Sequence, residues 1–310
     1  MLAVQSQLAI AGAVATLAGL SLLEPYVWVG ALLGELGFQL AICGALAALI
    51  AALRRAYIVL AVLLLATLLF VWPLVPLYRT TKPTPQAGPL LRVATAHLAG
   101  SRLELDTLAS WLGRERPDAM VLTGLREDLG AARLGAYRVA RGNADLRTLL
   151  LVQSALVVPV RERPGAHPVV TVRAGRCQAR AVGLELPPLA AYPALEARQR
   201  AIASVTELRS APRSLWLGHL GSRAEAHDLE PFIARHALRD GRLGHGRLAS
   251  APGSLGPLGF PLSDVLVHGW ISVREVDVKP PLVAGAHRTL SAVLELTEAR
   301  CRFNRAAPLE

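Results

Sequence analysis

LLRVATAHL, residues 90–98, is where the chain changes character. Before it lie apolar runs with few charges. From it onward, short β-like runs alternate with amphipathic helical segments. A helix pattern near 102–115 is followed by DAMVLTGL (118–125), LLLVQSALVVPV (149–160), HPVVTVRA (167–174) and ARAVGLEL (179–186). A helix near 193–210, SLWLGHL (214–220) and a helix near 224–238 come next. PLSDVLVHG (261–269), WISVREVDV (270–278) and HRTLSAVLEL (287–296) close the series. Strands in mixed succession with helices predict an α/β domain of two packed mixed β-sheets flanked by helices, a four-layer sandwich. About 220 residues are ample for one hydrophobic core. No internal repeat is visible.

Upstream, TTKPTPQAGP (80–89) is a Pro-rich, extended spacer. It separates three apolar stretches, Leu2 to Leu23, Tyr26 to Leu53 and Ala56 to Tyr78. Each reaches the roughly 20 residues that cross a ~30 Å hydrocarbon core, which predicts three transmembrane α-helices. Tyr26, Trp28, Trp72 and Tyr78 stand at boundaries where interfacial aromatics belong. No Lys or Arg precedes Arg54, which argues against a cleaved signal peptide. Arg54 and Arg55 fill the turn between the second and third stretches and place it in the cytoplasm; the first loop carries Glu24 and faces outward. The expected order is a three-span region (1–78), a linker (79–89), an α/β domain (90–299) and a tail (300–310). The chain is then a bacterial inner-membrane protein with a periplasmic domain. In the second stretch Gly30 and Gly34 have the small-xxx-small spacing of close helix pairs, and Glu35 and Gln39 share a face. Two readings of Glu35 stay open. It snorkels at the outer interface, or its face packs against a helix of this chain or of a membrane partner.

Composition supports this division. The 310 residues are 53% hydrophobic and 18% charged, with mean hydropathy +0.39. That excludes disorder, and three cysteines are too few for a disulfide scaffold. Residues 1–78 are electrically balanced, Arg54 and Arg55 against Glu24 and Glu35, so the formal charge of +10 belongs to residues 79–310. Arginine supplies 31 of the 33 basic residues and is scattered without interleaved aromatics. That is compositional bias rather than a nucleic-acid surface, and no nucleic-acid partner is expected. Anionic membrane lipids are the nearest charged partner. Cys43 is a packing residue in the second stretch. Cys177 and Cys301 can pair in an oxidising compartment if their Cα atoms come within reach, which sequence alone does not decide.

The order of segments over about residues 90–296 resembles the endonuclease/exonuclease/phosphatase family, and more narrowly its membrane-anchored bacterial branch. LLRVATAHL resembles the first strand, which ends in a metal-site Asn, and RPDAMVLTGL the second, which ends in the metal-binding Glu. SLWLGHLGS resembles the "GDxN" strand, PLSDVLVHG the "iDHvlv" strand, and AGAHRTLSAVLEL the terminal "SDHrP" segment. The resemblance implies one or two Mg²⁺ ions on oxygen ligands, with an Asp and a His activating water. This sequence departs at nearly every such position. His97 replaces the Asn and Gly124 the Glu. His219 and Gly221 replace the "GDxN" pair. Ser263 and Asp264 stand for Asp and His unless the register slips by one, and of the last motif only His287 survives. The resemblance therefore implies a kept scaffold with a dismantled site. No catalytic residue, metal or cofactor is expected. The expected function is a membrane-anchored, inactive phosphatase/nuclease-like domain, used as a scaffold or accessory subunit of a larger membrane complex. Its partners would meet it through the spans and the outer domain. Three other readings remain. A zinc site could form from His97, His219, Asp264 and His287. A Mg²⁺-dependent phosphoesterase could act on phosphate esters or lipid-linked pyrophosphates at the outer membrane face, with Glu185 and Asp228 as spare carboxylates. The old pocket could also take an anionic ligand through arginines.

Overall fold

The computed structural model describes residues 2–21, 33, 35–79, 88–126, 134–141, 148–158, 167–188, 192–208, 211–224, 226–297 and 301. The apolar part forms helices α1 (Leu2–Ser21), α2 (Gly37–Leu53) and α3 (Tyr57–Val71). A single 3-10 turn at Trp72–Leu74, with Pro73 at its start, carries α3 into the short α4 (Val75–Arg79). Small residues let α2 and α3 approach: Ala41, Gly44, Ala48 and Ala51 are the buried face of α2. A Cβ at Gly44 would lie 2.5 Å from Thr67 Oγ1. Near the Arg54–Arg55 turn, Ala11 of α1 packs with Ala48, Ala51, Val59 and Leu63. At the other end Ala18 packs with Ala41, Ala66 and Phe70. α1 thus runs antiparallel to α2 and alongside α3. Leu46, Leu49, Leu53, Ile58, Leu65, Leu68 and Trp72 point outward and are exposed.

The expectation of three spans needs correction. Among the described residues one helix, Tyr57–Arg79, is long and apolar enough to cross a membrane, with 23 residues and a mean hydropathy of 2.8. α2 has 17 residues, short of the roughly 20 that a span needs. Residues 22–32 and Gly34, where the second stretch was to begin, lie outside the described residues, and Gly30 and Gly34 with them.

From Leu90 the expected α/β domain is present. One sheet has six strands in the order β10-β11-β1-β2-β4-β3. These are β1 (Leu90–His97), β2 (Ala119–Thr123), β3 (Tyr137–Arg141), β4 (Leu149–Gln153), β10 (Ile271–Pro281) and β11 (Arg288–Leu296). The other has five in the order β5-β6-β7-β9-β8: β5 (Val169–Ala174), β6 (Cys177–Glu185), β7 (Arg213–His219), β8 (Arg239–Asp240) and β9 (Ser263–Gly269). Each sheet has one parallel pair, β1 with β2 and β6 with β7; the other pairings are antiparallel. Helix α5 (Leu105–Glu115) connects the first parallel pair and α6 (Tyr192–Thr206) the second.

Both sheets are covered on both faces, so their strands are apolar at nearly every position. Leu91, Val93, Val121 and Leu150 meet Val172, Ala181, Leu215, Leu217 and Val265 between the sheets. Ala94, Ala96, Met120 and Leu122 face the other way, toward Leu108, Trp111 and Leu112 of α5. Val182, Trp216 and Leu266 pack against Ile202 and Val205 of α6 and Phe232 of α7 (Glu230–Arg235). α7 is shorter than the helix expected near 224–238. A 3-10 turn at His227–Leu229 precedes it, Pro231 opens it, and Ala237 follows at φ +46. Cys177 and Cys301 form a disulfide with Cα atoms 5.0 Å apart, closing a 124-residue separation at the edge of the inter-sheet core.

A crosslink over so long a loop removes much denatured-state entropy. Cys177→Ser combined with Cys301→Ser is expected to cost about 3 kcal/mol, read as a lower thermal midpoint for the full chain. An unchanged midpoint would show that the disulfide constrains nothing.

Candidate functional site

In each sheet the parallel pair ends at the same edge of the sandwich, and carboxyl ends of parallel strands are where α/β folds build sites. β1 ends in His97, β2 in Thr123, β6 in Glu185 and β7 in His219. The inward alternation Leu91, Val93 carries His97 to the inter-sheet side, and Leu215, Leu217 carry His219 there. The two imidazoles stack across the sheets, ring centroids 3.8 Å apart at 15°. His287 arrives just before β11, and its backbone N–H donates to the His97 carbonyl at 2.9 Å. Its ring centroid lies 4.5 Å from that of His97 and 5.2 Å from that of His219. One ring nitrogen from each of the three lies within 4.8 Å of the others, and among the described residues this is the cluster that can hold a metal ion.

All three rings are neutral. Burial, then His287, pushes His97 down to about 3; burial pushes His287 down to about 4. His219, 3% exposed, falls well below the ordinary imidazole range for the same reason, with His97, His287 and Arg198 adding to the shift. His97 Nδ1 is 3.0 Å from Thr123 Oγ1. Nδ1 of His219 and Nδ1 of His287 are buried without a hydrogen-bond partner, as are the hydroxyls of Thr95 and Ser263.

Gly124 has a steric role. It sits at φ +65, and a Cβ there would lie 2.6 Å from His97 Cε1. His97 therefore occupies the space that a side chain at 124 would need. The Gly124 N–H donates to Glu185 Oε1 at 3.1 Å, and the Thr148 hydroxyl donates to Glu185 Oε2 at 3.0 Å. Glu185 is thus the carboxylate beside the cluster. Gly221 is at φ +66, with Pro187 O 2.7 Å from where its Cβ would be.

Asp264 does not join the histidines. His219 pairs with Ser263 and Gly218 with Asp264, so Ser263 shares the inner face with His219. Asp264 shares the outer face with Leu266, which packs toward α6 and α7. There it meets Arg242 Nη2 at 3.0 Å, and Asp240 meets the same nitrogen at 2.7 Å. The register at Ser263–Asp264 is settled with Ser263 at the site. Asp228, the other spare carboxylate, pairs with Arg198.

Arg198 escaped the sequence reading. It is fully buried and donates to the carbonyls of Pro187 and Leu220, to Ser222 Oγ and to Asp228. It thereby ties together the loops that follow β6 and β7. The available signal was its place on the apolar face of α6, four and seven residues before Ile202 and Val205.

The helices dock at this same end. Glu35 Oε1 accepts the Arg223 N–H at 2.9 Å, four residues beyond His219. Gln39 Nε2 donates to Leu258 O at 2.6 Å, and the Gly246 N–H donates to Leu77 O at 2.9 Å. Arg247 lies 4.3 Å over the Phe38 ring. The 246–258 loop in turn braces the site, because Ser250 Oγ accepts the Ser263 N–H and Ser250 O the Arg288 N–H.

Mg²⁺ requires near-octahedral oxygen ligation. This end of the sandwich presents three imidazoles, two glycines and a serine hydroxyl, and the neighbouring carboxylate already accepts two hydrogen bonds. The donor set does not fit Mg²⁺. Neutral imidazoles suit borderline transition metals.

Arg198→Ala is expected to cost about 3 kcal/mol in unfolding free energy, because Asp228 and two loop carbonyls lose a buried donor. Arg198→Lys should not restore it, lacking the planar fork. Chemical denaturation checks both, and wild-type stability in either would show that the loops hold themselves. Acidification gives a second outcome. His167, away from the cluster, is also pushed down to about 4 by burial. Unfolded imidazoles titrate near 6.5, so the unfolded chain binds more protons below that pH. Stability is then fully present above about pH 6.5 and is lost as pH falls toward 4. A thermal midpoint that stays flat across this window would overturn the assignment of neutral histidines.

Solved structures share this architecture. The endonuclease domain of TRAS1, a telomere-specific non-LTR retrotransposon, matches with a TM-score of 0.51 at 17% identity, covering 67% of this chain and 100% of that one. An endonuclease/exonuclease/phosphatase from Beutenbergia cavernae DSM 12333 matches with a TM-score of 0.49 at 14% identity, over 67% of this chain and 72% of that one. The 3′ phosphatase NExo from Neisseria, bound to product DNA hairpin, gives 0.48 at 15%, over 65% and 98%. No family model matches the sequence, and no curated protein matches it. At these identities the likeness shows the fold: two mixed sheets flanked by helices, as in endonuclease/exonuclease/phosphatase proteins.

Proposed function

We propose that this chain is a membrane-anchored member of the endonuclease/exonuclease/phosphatase family with a degenerate Mg²⁺ site, and that it works as a scaffold or accessory subunit of a larger membrane assembly. The observation that carries this reading is the mutual exclusion of His97 and any side chain at position 124. A side chain there would displace the histidine ring, so position 124 offers no ligand while His97 holds its place. In this reading Tyr57–Arg79 crosses the membrane, and the Arg54–Arg55 turn lies in the cytoplasm. The α/β domain stands on the opposite side, the periplasmic face of a bacterial inner membrane. The exposed leucines of α2 and α3 and the Cys177–Cys301 disulfide support that placement. Gly30 and Gly34, with lipid-facing parts of the bundle, are the proposed meeting surface for membrane partners. Glu35 and Gln39 are engaged by the chain's own α/β domain.

Isolation of the tagged full chain from native membranes in mild detergent is the direct test. The expected result is a stoichiometric assembly without Mg²⁺-dependent hydrolysis of phosphodiesters or pyrophosphates. A lone chain with Mg²⁺-dependent turnover, abolished by His287→Ala, would overturn the reading.

A further inference from the structure

We propose that His97, His219 and His287 bind one Zn²⁺-class ion, each through one ring nitrogen, with a fourth coordination position open to water or an anionic oxygen. The inference goes beyond the scaffold reading and does not depend on it.

Geometry comes first. The three rings belong to three different segments, the ends of β1 and β7 and the turn before β11, yet their nitrogens lie within 4.8 Å of one another. A tetrahedral zinc with Zn–N bonds of about 2.0–2.1 Å needs nitrogens roughly 3.4 Å apart. To bind one ion, His97 and His219 must turn out of their 15° stack so that both ring planes meet at the metal. The backbone bond from His287 N–H to the His97 carbonyl already fixes two of the ligand-bearing segments. Thr123 Oγ1 at 3.0 Å from His97 Nδ1 orients that ring, as an outer-shell partner does in metal sites.

Two buried nitrogens, Nδ1 of His219 and Nδ1 of His287, have no hydrogen-bond partner. Buried polar atoms without partners are costly, and three neutral imidazoles piled together offer one another little. A metal ion at the cluster would give buried imidazole nitrogens a partner. Metal binding requires unprotonated imidazole. The donor set selects the ion: imidazoles favour zinc and its neighbours over Mg²⁺ or Ca²⁺. Three protein ligands leave the coordination shell open. Glu185, held by the Gly124 N–H and the Thr148 hydroxyl, borders the cluster. Bound there, the ion would join the two sheets at the end where the helices dock.

The test uses the full chain in mild detergent, purified without a histidine tag, stripped with chelator and reloaded with Zn²⁺ or Co²⁺ alone. The expected result is one zinc per chain by mass spectrometry and a Co²⁺ form with the intense visible bands of a four-coordinate centre. His97→Asn, His219→Asn and His287→Asn should each weaken zinc binding by more than the roughly 10–100-fold that loss of an outer-shell partner costs. His227→Asn, at an exposed site, should leave it unchanged. Substoichiometric zinc in a folded wild-type chain would overturn the proposal. So would weak octahedral Co²⁺ bands, or full zinc retention in the triple variant. The Co²⁺ spectrum is read on the wild-type chain, so misfolding of a variant does not remove the test. Zinc-dependent phosphoester hydrolysis would uphold the metal site and overturn the inactive reading. Absence of zinc from an intact assembly would do the reverse.

Discussion

The meeting of two parallel strand pairs at one edge of the sandwich governs what this domain can do. β1–β2 and β6–β7 run in register within their own sheets, and helices α5 and α6 on the outer faces force each pair to be parallel. In the stacked sheets the carboxyl ends of both pairs lie at one edge, where His97 meets His219. The residues at those ends, His97, Thr123, Glu185 and His219, become neighbours although 122 positions separate the first from the last. A ring at 97 takes the space above Gly124, and the Gly124 N–H donates to Glu185 from the other sheet.

Buried arginines hold the surrounding loops. Arg198 bridges the exits of β6 and β7, and Arg242 links Asp240 to Asp264 on the outer face of the second sheet. Such groups contribute less to net stability than to uniqueness, because each charge must find its partners in one arrangement or suffer desolvation without return. They act where the backbone leaves regular structure, and there specific bonds are needed most.

Much of the fold was legible because strands buried on both faces read as apolar runs, and the runs at 90, 118, 167, 179, 214, 261 and 287 each became strands. β3 and β8 were not legible. YRVAR lies at a sheet edge with arginines at 138 and 141, and Arg239–Asp240 is two residues of polar sequence. At the site, His97, His219 and His287 came together from strand ends alone. Asp264 did not, because side chains alternate across a strand and a one-residue slip moves a group to the opposite face. Arg198 was hidden by an arginine-rich composition that made each arginine look like background. Glu35 could not be placed from sequence at all. Its partner, the Arg223 backbone, is 188 residues away.

That last contact changes how the two halves of the chain relate. An acid near the end of an apolar helix is costly unless answered, and here the answer comes from the loop leaving β7, just after His219. Gln39 and Leu77 make the same kind of contact with the loop that braces Ser263 and Arg288. The helices thus meet the domain through polar groups at the site end, where their apolar sides give no support. A tether that only held the domain near a bilayer would need none of these bonds. The helix ends and the histidine cluster thus rest on the same loops, those that follow β7 and precede β9.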